Sequence, residues 1–260
     1  MKRGIELYSA KEIEKIRRAC QIVAEVLSIV AESVKPGISA WDIEMIAREE
    51  AKKRGGKPAF LNYRPPFAPD PYPAATCVSI NDEVVHGLPK KERLIKEGDL
   101  VSVDFGVIID GYAGDSAITV AVGEIDEDKK RLMEATKVAL DRAVNEAYAG
   151  NWLSRLVETI HSTAEEYGVF PVQKYGGHGI GKKVHEEPFV PNNRKDLHKK
   201  DVKFKRGMVI AIEPMFALGT ENTYHDGDGW TVKTSDGSPS AHFEHTVAIT
   251  KEGPLVLTEL

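Results

Sequence analysis

A chain of 260 residues with 42% hydrophobic and 29% charged side chains has the balance of a folded globular protein, which excludes a disordered chain. Its net charge of -5 supplies no general field for DNA or an anionic membrane, so neither is an expected partner and any RNA contact must rest on a local patch. Two cysteines, Cys20 and Cys77, make neither a disulfide ladder nor a Cys-x-x-Cys site, and residues 1–6 lack the apolar run of a signal segment, so a reducing cytoplasm is the expected location.

In chain order, Ser9-Ala10-Lys11-Glu12 is a capping-box pattern, and apolar residues recur at helical spacing from Ile13 to Val30 until Pro36-Gly37 stops the helix. Ser39 is expected to cap a second helix carrying Ile43, Ile46 and Ala47 and ending before Gly55-Gly56. Prolines and aromatics crowd residues 58–75 too densely for a helix and predict a surface loop. Short strands fit 76–80, 84–85, 100–105 and 118–122. Asp126 then predicts a helix running to about Ala149, and Asn151 another running to Tyr167, with Gly150 and Gly168 as stops. Strands near 209–213 and 243–250 close the chain. Only two glutamines, Gln21 and Gln173, lean the composition toward a thermophilic source.

One segment occurs twice. Lys96-Glu97-Gly98-Asp99-Leu100-Val101-Ser102-Val103-Asp104 returns as Lys205-Arg206-Gly207-Met208-Val209-Ile210-Ala211-Ile212-Glu213, a Lys-x-Gly turn launching a β-branched run that ends in a carboxylate. Two helices, a loop and an acid-bearing strand therefore repeat. The expected architecture is α+β, with helices covering one face of a curved, mainly antiparallel sheet. It forms a single catalytic domain, 1–260, of two pseudo-symmetric halves, about 1–122 and 123–260.

The repeat concentrates acids where acids are costly. Asp104 and Asp115 flank the reversal Asp110-Gly111-Tyr112-Ala113-Gly114, in which Asp110 reads as a turn residue. Val101, Val103, Phe105, Ile108, Ile109 and Ile118 make that hairpin otherwise apolar, so its carboxylates need partners or cations. Glu213, before Pro214, and Glu244 interrupt strand-like stretches in the same way, and a dry cluster of such acids without cations forces large protonation shifts. Gly176-Gly177-His178-Gly179-Ile180-Gly181 presents His178 from a glycine-dense stretch. No Gly-Lys-Ser/Thr follows it, which disfavours a phosphate cradle. His185 and His86 offer further imidazoles.

The ligand set read from these residues is Asp104, Asp115, His178, Glu213 and Glu244. Carboxylate and imidazole suit Mn, Co, Fe(II) or Zn, and the absence of thiolates excludes a structural zinc knot. Five ligands suit two divalent ions about 3 to 4 Å apart, bridged by Asp115, Glu244 and a nucleophilic hydroxide.

These motifs, with Asn81-Asp82-Glu83-Val84-Val85-His86-Gly87, Ile212-Glu213-Pro214-Met215 and Phe243-Glu244-His245-Thr246, resemble the signature of the type I methionine aminopeptidases over nearly the whole chain. The resemblance implies the duplicated "pita-bread" fold. It also implies removal of the initiator methionine from nascent polypeptides whose second residue is small. By that resemblance Asp104 chelates one metal, Asp115 and Glu244 bridge, and His178 and Glu213 hold the other ion. Glu213 also serves as acid/base, His185 binds the scissile carbonyl oxygen and His86 lies near the scissile nitrogen.

Tyr63, Tyr72, Cys77 and Trp230 match pocket positions of that family, while Phe60 stands where cysteine is common and Val184 where phenylalanine is common. The loop at 64–71 exceeds the usual length, and only 31 residues separate Glu213 from Glu244, so the long insertion of the type II enzymes is absent. A monomer is expected. The positive stretch Lys182-Lys183, Arg194-Lys195, His198-Lys199-Lys200, Lys203, Lys205-Arg206 suits a transient ribosome contact. The competing readings are a proline-directed aminopeptidase or dipeptidase of the same fold, and an inactive binding module.

Overall fold

In the computed structural model, residues 4–65, 70–197 and 201–260 are described. Residues 66–69 of the proline-rich loop and 198–200 of the basic stretch lie outside the described residues. Four long helices form where the capping signals put them: α1 (Ala10–Ser33), α2 (Ala40–Lys53), α3 (Glu127–Glu146) and α4 (Leu153–Tyr167). Ser9 with Glu12, and Ser39 with Asp42, each close a reciprocal capping box, and Asp126 caps α3.

Two boundaries differ from expectation. Helix α3 ends at Glu146, and α4 starts after Trp152 without a side-chain cap. Asn151 is not that cap, because its amide is committed backwards, donating to the Glu146 carbonyl at 2.8 Å and to Glu146 Oε2 at 2.7 Å.

The first acid-bearing element is a hairpin of strands Leu100–Ile109 and Tyr112–Ala121, longer than the apolar run alone suggested. Asp110 and Gly111 both take positive φ, 51° and 79°, the geometry of a two-residue turn matched to strand twist. Strands Lys57–Pro58 and Thr76–Ile80 pair antiparallel with Leu100–Ile109. Helices α1 and α2 bury Val23, Val26, Leu27, Ile43 and Ala47 against Val101, Val103, Phe105 and Val107 of this sheet.

Helices α3 and α4 likewise bury Leu132, Ala139, Leu156 and Ile160 against Ile210, Ile212 and Val247. Those last three belong to a five-stranded antiparallel sheet in the order Pro254–Val256, His245–Ile249, Val209–Ile212, Gly176–Gly179, Glu186–Pro191. The repeated Lys-x-Gly turn has the same conformation in both copies, with Gly98 at φ 83° and Gly207 at φ 90°.

Glu213 and Glu244 do not lie inside strands. Glu213 occupies the break between Val209–Ile212 and Met215–Ala217, and Glu244 the break between Ser240–His242 and His245–Ile249. Pro214 cannot donate to a ladder, so the chain changes partners there, Val209–Ile212 pairing with His245–Ile249 and Met215–Ala217 with Ser240–His242.

Helix α1 approaches the hairpin at Gly114, where a Cβ would stand 2.5 Å from the backbone nitrogen of Cys20. Backbone cannot yield as a flexible side chain does, so Gly114→Ala is expected to cost about 2–3 kcal/mol in a denaturant melt. A cost within ~0.5 kcal/mol would show that α1 is free to shift.

Candidate metal centre

Hairpin register brings the first two acids together. Asp104 pairs with Ala117 and Asp115 with Gly106, so the carboxylates are diagonal neighbours on one face. Gly106 leaves the space between them clear, since a Cβ there would lie 3.2 Å from Asp115 Oδ1.

The acids of the second half are laced to this hairpin by hydroxyls and main chain. Glu244 donates its N–H to the Ala117 carbonyl at 2.9 Å, and Ser116 Oγ donates to the Glu244 carbonyl at 2.5 Å. Thr246 Oγ1 donates to the Asp115 carbonyl at 2.8 Å, and Thr119 Oγ1 to the His242 carbonyl at 2.7 Å. Asn192 fixes the Glu213 backbone, its amide donating to that carbonyl at 3.0 Å.

His178 completes the cluster. Its strand is packed so tightly that a Cβ on neighbouring Gly177 would fall 2.0 Å from the Ala211 carbonyl oxygen. Nδ1 lies 3.0 Å from the Gly179 carbonyl, a partner suited to an N–H, which leaves Nε2 with its lone pair toward the acids. Nε2 is 3.5 Å from Glu213 Oε1 and 3.9 Å from Asp115 Oδ2.

Electrostatics then test whether cations fit. Asp115 and Glu244 are each 2% exposed, and burial followed by neighbouring carboxylates raises both pKa values well above the ordinary range. Burial lifts Asp104 to about 7. Burial also pushes Glu213 upward, but His242, His178 and His86 outweigh it and leave that carboxyl below its usual value.

Asp104 Oδ1, Asp115 Oδ1 and Glu244 Oε1 are buried without a hydrogen-bond partner among the described residues, as is His242 Nε2. Ligand atoms of Asp115, His178 and Glu244 lie within 4.8 Å of one another, and those of Glu213, His242 and Glu244 do so too. Unsatisfied buried oxygens held this close are what divalent cations relieve, so the donor set fits metal.

All five acids and imidazoles line one cavity of about 750 Å³, which also takes in His86, His185, Phe60, Tyr63, Tyr72, Cys77 and Trp230. Tyr72 donates its hydroxyl toward the carbonyls of Thr76 and Gly87 at 3.1 and 3.2 Å and meets Trp230 edge-on, with ring centroids 5.0 Å apart. Desolvation lowers His86 to about 4, so its imidazole is neutral near pH 7. His185 lies between His178 and Tyr63, its ring centroid 4.3 and 5.1 Å from theirs and tilted against both, and burial among protein atoms, then the nearby His178 and His86, holds its pKa well down.

Val184 does not line the cavity. The chain alternates there, turning His185 into the opening and Val184 into a buried cluster with Tyr8, Ile180 and Val209. Sequence reasoning missed His242, whose Nε2 is 3.5 Å from Glu213 Oε2, and also Tyr175, Met215 and His225 on the cavity wall. The signal for His242 was its place two residues before Glu244. The wall residues gave none, because distant segments bring them in.

A fold and centre of this kind define a metallopeptidase, and the comparisons agree. The family model for metallopeptidase family M24 matches residues 14–251. A methionine aminopeptidase of Aquifex aeolicus is 66% identical over 257 residues, spanning 99% of this chain and 100% of that one. The crystal structure of a methionine aminopeptidase from Thermotoga maritima superposes with a TM-score of 0.93 at 42% identity, covering 99% of this chain and 100% of that one. A prolidase from Pyrococcus furiosus shares the fold at a TM-score of 0.77 and 25% identity, but 98% of this chain covers only 65% of that protein. The chain belongs to metallopeptidase family M24, has its duplicated pita-bread fold, and falls among the methionine aminopeptidases.

Proposed function

We infer that the chain is a methionyl aminopeptidase that removes the initiator methionine from nascent polypeptides with a small second residue. The observation that carries this reading is the cluster of unpartnered buried carboxylate oxygens opening onto an aromatic-walled cavity. Bound divalent cations, two by our reading and drawn from Fe(II), Mn, Co or Zn, would supply Lewis acidity and an acidified water. Asp104, Asp115, His178, Glu213 and Glu244 would hold them.

The chain's own groups divide the remaining work. Glu213, which lines the cavity with its two carboxylate oxygens 3.5 Å from His178 Nε2 and His242 Nε2, is the acid we assign to accept the water proton and pass it on. A neutral imidazole still donates through its N–H, so His185 steadies the carbonyl oxygen and His86 the departing nitrogen. Phe60, Tyr63, Tyr72, Cys77 and Trp230 surround the space for an unbranched apolar side chain. Trp230→Ala is expected to raise KM for Met-Ala-Ser about tenfold and to change kcat less, read by steady-state kinetics. An unchanged KM would remove Trp230 from the pocket.

The proline-directed alternative is disfavoured by coverage, since the chain spans whole aminopeptidases and only part of the prolidase. Competing Met-Ala-Ser against Ala-Pro peptides tests the choice; faster release from Ala-Pro peptides would reverse it. An inactive binding module is disfavoured by the complete ligand set.

One catalytic domain of two halves, about 1–122 and 123–260, is consistent with the two helix-covered cores. We place the protein in the cytoplasm as a monomer; among the described residues no helix is long and apolar enough to cross a membrane. A ribosome contact through residues 182–206 would be weak and salt-sensitive, because Lys182, Arg194 and Lys195 are already paired with Glu12, Glu158, Glu165 and Glu221.

A further inference from the structure

His185 lies in the irregular segment 181–185, and its ring meets those of His178 and Tyr63 at a tilt. Its position therefore depends on how the backbone around it is held. Three of the ties are local and one comes from the hairpin. Ala113 donates its N–H to the Gly181 carbonyl at 2.7 Å, and Gly181 donates to the Lys183 carbonyl at 3.0 Å. Lys183 donates its N–H to Glu186 Oε1 at 3.0 Å, and Gly179 pairs with Glu186 across the strand register.

A further tie comes from the N-terminal end of the chain, beside the Lys182–Glu12 ion pair at 2.9 Å. Tyr8 is 5% exposed and anchored by its own N–H, which donates to the Gly207 carbonyl at 2.7 Å. Its hydroxyl donates to Glu186 Oε2 at 2.7 Å and accepts the Lys182 N–H at 3.0 Å. Its ring occupies the volume a side chain at Gly181 would need, with a Cβ there falling 2.2 Å from Tyr8 Cζ. Burial, then the bond to Glu186, raises the phenol's pKa, so the hydroxyl stays a donor. One phenol thus closes a hydrogen-bonded ring around residues 182–186, with His185 inside it.

We propose that Tyr8 is a positioning residue for His185, acting through its hydroxyl on Lys182 and Glu186 to fix where that imidazole points in the cavity. The proposal rests on the reading of His185 as the group that steadies the scissile carbonyl. Tyr8→Phe keeps the ring and its packing while leaving the Lys182 N–H and Glu186 Oε2 unpaired. It is expected to lower kcat for Met-Ala-Ser about tenfold with KM and metal content unchanged, because a displaced imidazole is felt in the transition state. Glu186→Gln, which can still accept from Tyr8 but presents an amide in place of one carboxylate oxygen, is expected to fall between Tyr8→Phe and the parent.

The deciding experiment is a double-mutant cycle of Tyr8→Phe and His185→Ala, with turnover and melting temperature both read. The clamp predicts that Tyr8→Phe costs no further turnover once His185 is gone. The same fractional loss in both backgrounds, or no loss with His185 present, would overturn the clamp while leaving His185 in its role. Unchanged turnover in His185→Ala alone would instead overturn the reading of His185, and the clamp with it.

Discussion

The metal-free Asp115→Asn protein is expected to melt at or above the temperature of the metal-free parent while losing ~10³-fold or more in kcat/KM when metal is supplied. The two effects have one cause. Without cations, Asp115 is a buried carboxyl whose charged form is opposed by desolvation and by Asp104 and Glu213, so converting it to a neutral amide removes a liability. Once cations bind, our reading makes the same oxygen a ligand, so its loss should weaken the site. The stabilisation that saturating metal gives the parent, about 4 kcal/mol at a thousandfold excess over Kd, should largely vanish in the variant, and with it the rise in melting temperature. Calorimetry of four samples, parent and variant with and without metal, reads both. A metal-free variant markedly less stable than the metal-free parent would mean that Asp115 is a structural hydrogen-bonding group instead.

The second large effect is the pH dependence of the metal-free protein. Burial lifts Asp104 to about 7 in the folded state, and burial with neighbouring carboxylates raises Asp115 and Glu244 well above the ordinary range, whereas unfolded carboxylates titrate near 4. Between those limits the folded protein holds more protons than the unfolded chain, so stability is greatest at low pH and is lost as pH rises through the folded pKa values. His86, depressed to about 4, and His185, also depressed, have the opposite sign, but only below the unfolded histidine value near 6.5. Above pH 6.5 the contribution of His86 and His185 is complete, and the raised carboxylates set the sign. The metal-free protein should lose stability between pH 6.5 and 8, about 1 kcal/mol from Asp104 alone or roughly 2–4 °C in melting temperature, with Asp115 and Glu244 adding in the same direction. Saturating divalent cation should flatten or reverse the slope, since it displaces those protons. A metal-free melting temperature that rises from pH 6.5 to 8 would contradict the electrostatic account.

Much of this was legible in the sequence because the informative features are local. Ser9 with Glu12 and Ser39 with Asp42 announce helix starts that depend on a few neighbouring residues. Asp104 and Asp115 stand out because β-branched residues surround them, and Asp110-Gly111 between them fixes the register that makes them neighbours. Asn151 misled because the same side chain can cap forward or bond backward, and Glu146 decided the matter from the preceding helix.

Glu213 and Glu244 were legible as acids of the cluster and misread as strand residues. The breaks that hold them arise from partner switching around Pro214 and from the bridge to Ala117, which are tertiary facts. Val184 shows the limit of motif register, since its position beside His185 gave its place in the chain but not the face it would take. His242 and Tyr8 escaped for the same reason. Each matters through a contact made more than 28 residues away, to Glu213 and Glu186 respectively.

The most direct test of the central claim is anaerobic titration of the metal-free protein with a divalent cation, following bound metal and methionine release from Met-Ala-Ser in the same samples. Activity should be absent at the start, climb in step with cation bound, and stay near background in Glu244→Gln at the same cation concentrations. A protein that fills with metal and leaves Met-Ala-Ser intact, or one that cleaves it at full rate with no cation bound, would contradict the account.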